Sequence, residues 1–190
     1  MDEKAELFMS LFYTETPSGE RRRWTLKEFV QGRPIGHPSH VMFVHFPVAL
    51  YIGALGLDIV SRIGHFPSAP LAATWLILGA FAGSLFAVPT GLVDWWGMKP
   101  GSRARKVANK HLLLQLTTAG IFVVNEVVRW SHRNDPRAHS LWIVLGAIGV
   151  ITLTLGQYFG GVLVYRIGFR VYGDRPTKPA KAQPVGEEDR

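Results

Sequence analysis

The chain contains no cysteine. Disulfides, thiolate metal sites, iron–sulfur ligation and cysteine nucleophiles are therefore excluded for this polypeptide by itself. Acidic residues are in the minority, 14 Asp and Glu against 21 Lys and Arg, for a formal net charge of +7. There is no phosphate-cradling glycine loop. Ser39 stands beside His40, but no motif supplies an oxyanion hole, so serine hydrolysis is not indicated and the reading is non-enzymatic. The N-terminus carries Asp2, Glu3 and Glu6 and lacks the basic-then-apolar pattern of a cleaved signal peptide. The most telling shortage is of charge along the middle of the chain. Charged residues gather at the ends and in two internal stretches, leaving long segments almost free of them.

Those segments are present in sufficient length to cross a bilayer, for which about 20 mostly apolar residues are needed. Four spans are predicted: His40 to Ile63, Pro70 to Val93, His111 to Trp130 and Ser140 to Tyr165. The fold class expected is all-α, an integral membrane four-helix bundle. A surplus of basic residues raises nucleic acid as a partner, but here they flank apolar spans. Orientation bias and attraction to lipid headgroups account for them, and the partner expected is the bilayer. Seventeen basic residues lie in the N-terminal arm, the loop between spans two and three, and the C-terminal end. Four (Arg62, Arg129, Arg133 and Arg137) lie on the other side. The positive-inside rule then puts both termini in the cytoplasm.

Three regions follow. Residues 1–36 read as an interfacial arm, with a short helix over Glu3–Phe12, a turn at Thr16–Gly19 and a capping box from Thr25 to Glu28. Residues 37–172 form the transmembrane domain. Residues 173–190 have almost nothing to bury and are expected to be disordered. Small residues at Gly79, Gly83, Ala87 and Gly91, and again at Gly149, Gly156 and Gly160, are read as faces for close helix packing.

Polar side chains inside a bilayer need a partner or a task. His37, His40 and His45 fall within nine residues at the inner end of span one. Span three carries His111, Gln115, Thr118, Asn125 and Arg129, all within about 40° of one line on the helix, with Phe122 interrupting. Asp94 ends span two on the inner side, while Asp58 and Arg129 lie at outer ends and are expected to pair. Topology thus gathers four histidines and Asp94 at one end of the bundle. Imidazole is a usual axial ligand of haem iron and a common metal ligand. The leading expectation is haem b held by His45 and His111, with His40 and His37 as alternates and Asp94 in support, serving electron transfer. The alternatives are a transition metal on His37, His40, His45 and Asp94, or no cofactor. In the last case the histidines are structural, like Gln115, Asn125, Asp58 and Arg129. His65, His132 and His139 are outer-loop residues without an assigned role.

The run Gly36-His37-Pro38-Ser39-His40-Val41-Met42-Phe43-Val44-His45-Phe46-Pro47 resembles the opening motif of a bacterial membrane family, domain of unknown function 2231. The resemblance continues through Gly91-Leu92-Val93-Asp94-Trp95 and Gly160-Gly161-Val162-Leu163-Val164-Tyr165-Arg166, covering about residues 34–172. It implies a four-helix domain in a bacterial inner membrane and, through relatives joined to redox modules, a haem or electron-transfer role. Relatives often carry a histidine where this chain has Ile167. The arm and tail fall outside the resemblance, as docking segments for a larger respiratory or photosynthetic complex or for further copies of the chain.

The absence of cysteine makes the topology testable. Single substitutions Ser102→Cys and Ser68→Cys should react with a membrane-impermeant thiol reagent from opposite sides, Ser102→Cys from the cytoplasm. Labelling of both from one side would refute the four-span orientation.

Overall fold

The computed structural model describes residues 13–15 and 21–171. The expected helix over Glu3–Phe12, the turn at Thr16–Gly19 and the tail 173–190 lie outside the described residues. A short antiparallel pair, β1 (Tyr13–Glu15) and β2 (Arg21–Arg23), is followed by α1 (Leu26–Val30). The expected capping box starts α1: the Glu28 amide donates to Thr25 Oγ1, and the Glu28 carboxylate accepts from the Thr25 amide at 3.1 Å.

Among the described residues four helices are long and apolar enough to cross a membrane: α2 (Ser39–Ile63), α3 (Ala69–Trp96), α4 (Arg103–Arg129) and α5 (Ser140–Gly161). At 1.5 Å per residue, the 25 residues of α2 extend about 37 Å, more than a hydrocarbon core requires. Leu85, Phe86, Leu113, Leu116, Val127 and Ile151 stay exposed on the outside of the bundle, the surface that faces lipid. No water there competes for backbone groups, which is why the spanning segments are continuous helices.

Each helix packs chiefly on its neighbour in sequence, giving two hairpins, α2–α3 and α4–α5, that meet mainly through α2 with α5 and α3 with α4. In the first hairpin the small residues of α3 receive α2. A Cβ on Gly79 would touch Leu50 at 3.4 Å, and one on Gly83 would press on Pro47 at 3.3 Å. In the second, the glycines of α5 receive the polar stripe of α4. Gly146 faces Asn125, Gly149 faces Phe122, Gly156 faces Gln115 and Gly160 faces His111. Between them Thr118 and Thr152 share a 2.9 Å hydrogen bond. The core joining the hairpins contains Tyr51, Ala54, Ile77, Ala80, Phe122 and Leu153. The Tyr51 ring stacks on Phe122 with centroids 4.0 Å apart.

The end of the bundle where the α2–α3 and α4–α5 connections lie, its outer end, is closed by a buried ionic group. Arg129 is fully buried and donates to Asp58, to Asn125 Oδ1 at 3.2 Å, and lies over the Trp142 ring at 4.9 Å. Asn125 Nδ2 donates to the Trp142 carbonyl at 3.0 Å. Ser61 Oγ donates to the Asp58 carbonyl and accepts from the Ala138 amide. This ties α2, α4, α5 and the outer loop together.

Removing one member of a buried pair strands the other charge, a loss of about 3–5 kcal/mol. Asp58→Ala should therefore lower the midpoint of unfolding in detergent sharply, and Asp58→Ala combined with Arg129→Met should recover much of the loss. A double variant as unstable as the single one would remove the pair as the cause.

Candidate functional site

At the other end of the bundle two histidines face each other from different hairpins. His40 lies in the first turn of α2, and His111 lies two turns into α4. Their ring centroids are 6.3 Å apart and the planes stand at 88°. His40 Nδ1 lies 2.9 Å from the Ala87 carbonyl oxygen of α3, and His111 Nδ1 lies 2.8 Å from the Gly156 carbonyl oxygen of α5. A carbonyl only accepts, so each Nδ1 carries the proton it donates. In the neutral ring this leaves Nε2 with a lone pair.

Each ring rests on a glycine one turn beyond its carbonyl partner. A Cβ on Gly91 would come within 2.7 Å of His40 Cε1, and one on Gly160 within 3.2 Å of His111 Cε1. The same device thus occurs once in each hairpin: a histidine on the first helix, a carbonyl on the second, and a glycine four residues later. The stretches flanking the two histidines show no matching repeat, so the repetition exists only at the level of side-chain geometry.

The remaining predicted residues take different places. His45 is exposed on the outside of α2, as five residues at about 100° each from His40 requires. His37 is exposed just before α2. The structure brings His40, and not His45 or His37, to His111. Asp94 is buried and ion-paired with Arg170, a residue that follows the π turn Val162–Arg166 after α5. Gln115 lies one turn from His111 against Gly156, and its Nε2 is buried without a partner. Asn125, Arg129 and Asp58 belong to the outer ionic group. Arg170 carried no signal in the sequence, because its pairing depends on Gly168 at φ 69° and on Arg170 itself at φ 60° turning the chain back. The carbonyl acceptors were equally invisible, since they are backbone.

Among the described residues no three His, Asp or Glu side chains converge closely enough to hold a metal ion. A bare zinc or copper ion asks for three or four protein donors. Haem asks for one or two, because the porphyrin supplies the rest. In donor number and tautomer His40 and His111 fit haem, and among the described residues they do not make up a bare-metal site.

A family described as "predicted membrane protein (DUF2231)" matches residues 36–173 of the chain. No curated protein and no solved structure matches it.

The two glycines under the rings are not equivalent. Gly91→Ala should displace His40 and cost about 1–3 kcal/mol, as overpacking does, while Gly160→Ala, with 0.5 Å more room, should cost less. Unfolding midpoints in detergent give the order, and an equal or reversed order would contradict the packing described.

Proposed function

We propose, from the premise that this chain belongs to the DUF2231 family of predicted membrane proteins, that it is a non-enzymatic electron-transfer protein. In this reading His40 and His111 would hold a b-type haem between the two hairpins. The observation that carries it is the pair of imidazoles, one from each hairpin, each with Nδ1 committed to a carbonyl of its own hairpin. Metal-bound histidines use the second ring nitrogen in this way, which fixes ring orientation and raises basicity at the ligating nitrogen. Bound haem supplies a reversible one-electron couple.

The chain's own residues supply the rest. Ala87 and Gly156 orient the two rings, Gly91 and Gly160 leave space for them, and Gln115 offers an unused donor one turn away. The apolar outer surface of the helices sets the bundle in the bilayer. The basic side, which includes the start of α2, is taken as cytoplasmic and the membrane as a bacterial inner membrane.

A second reading is supported by the same rings. A centroid separation of 6.3 Å at right angles is an ordinary edge-to-face aromatic contact. On that reading the histidines only join the hairpins. The chain is then a cofactor-free accessory subunit of a respiratory or photosynthetic assembly, or a homo-oligomer.

An absorption spectrum of the purified protein, oxidised and reduced, with iron analysis on the same sample, separates the two. Haem binding should give a Soret band that sharpens on reduction, with near-stoichiometric iron. His40→Ala and His111→Ala should each abolish it, and His45→Ala should leave it intact. A folded, haem-free protein from haem-replete cells would overturn the haem reading and leave the accessory-subunit one.

A further inference from the structure

Where α1, the end of α3 and the chain beyond α5 meet, a cavity of about 320 Å³ opens. Its size is within the range of small-molecule sites, roughly 300–1,000 Å³. It is lined by three cations, Lys27, Arg33 and Arg170, together with Gln31, Asp94 and Gly97. Arg170 is paired with Asp94, and Arg33 with Glu28 at 3.1 Å. Lys27 has no ion pair among the described residues. Its ammonium lies over Gly97, where a Cβ would come within 3.3 Å of Nζ. Among the described residues the formal balance at the cavity therefore leaves one positive charge.

Gln31 adds a second requirement. It is 4% exposed, lines the same cavity, and its Oε1 has no hydrogen-bond partner. A buried acceptor left unmet is costly, so an occupant that donates a hydrogen bond there is favoured. The occupant indicated carries one negative charge and a nearby hydroxyl or amine.

Depth identifies its source. The cavity lies at the terminus of α3 and just past the π turn that ends α5, with Trp96 and Tyr165 exposed close by in sequence. Aromatic residues at span ends mark the headgroup level of a bilayer. The cavity is on the side where basic residues concentrate, which attracts anionic lipid. Arg170 holds a left-handed backbone conformation, φ 60°, that a non-glycine residue adopts only when its surroundings enforce it. Here that conformation returns its guanidinium to the cavity wall.

We propose that this cavity binds the phosphodiester headgroup of an anionic membrane lipid such as phosphatidylglycerol. Lys27, Arg33 and Arg170 face the phosphate, and Gln31 Oε1 accepts from a headgroup hydroxyl. The site is independent of any cofactor on the histidines.

Native mass spectrometry of the full chain, released from detergent with phosphatidylglycerol and phosphatidylcholine supplied equally, tests it. One phosphatidylglycerol per chain should be retained in preference to phosphatidylcholine. The Lys27→Gln/Arg33→Gln variant changes only exposed side chains, so the bundle should survive. It should bind phosphatidylglycerol about tenfold more weakly or worse, having lost two basic groups at the headgroup. Lys27→Arg/Arg33→Lys should restore binding. Equal retention of the two lipids, or no effect of the glutamine substitutions, would overturn the proposal. Displacement of the lipid by inorganic phosphate would overturn the lipid assignment in favour of a free-phosphate site.

Discussion

In hydrocarbon a polar side chain without a partner costs several kcal/mol, and no water is at hand to relieve it. Helix α4 carries such side chains along most of its length, from His111 through Gln115, Thr118 and Asn125 to Arg129. It can lie in a bilayer only against a surface that leaves room for them and offers acceptors. The glycines of α5 are that surface. Where a side chain is missing on α5, the polar group of α4 reaches the opposite backbone or a hydroxyl: His111 the Gly156 carbonyl, Asn125 the Trp142 carbonyl, Thr118 the Thr152 hydroxyl. Hydrogen bonds between membrane helices average only about 0.6 kcal/mol each. The fit therefore serves register more than strength. A slip of α4 by one turn would set each polar group against the wrong glycine.

The two ends of the bundle use this arrangement differently. At the outer end the polar groups converge on one another. Arg129 reaches both Asp58 and Asn125, and Ser61 fastens the outer loop, so the contact is ionic, cross-linked and fixed. At the inner end each histidine is satisfied within its own hairpin and the two rings meet edge to face, while Asp94–Arg170, Trp95–Asn109 and Arg105–Trp95 join the hairpins at the end of α3. Nothing ionic joins His40 to His111.

Sequence reading reached the parts of this that follow from hydropathy and periodicity. The four spans are visible as charge-free runs, and the observed helices match them to within about a turn except at the start of α4, which begins at Arg103 inside the basic loop, about two turns before His111. The polar stripe and the small-residue stripes are regular at helical spacing and could each be seen. What could not be seen is that they face each other, which depends on how the hairpins rotate. Asp58 and Arg129 are legible as a pair because topology alone puts them at one depth. His40 against His45 is a different case. Both sit near the inner end of one helix, and choosing between them needs the rotation of α2, which Pro47 made uncertain on paper. Pro47 does not turn His45 inward: it packs towards Gly83 itself, and the exposed side of the helix is left to His45. Arg170 was out of reach for another reason, since its position is set by a π turn and two left-handed residues with no periodic signature.

The histidine pair and the headgroup cavity are separated by less than two turns of one helix. Gly91 supports the His40 ring, Asp94 holds Arg170, and Gly97 lies beneath the Lys27 ammonium. These three positions recur at every third residue, so they wind around the last turns of α3 and contact three different elements. A single segment, residues 91–97, thus walls both the imidazole pair and the cavity, so the end of α3 sets the depth of one relative to the other.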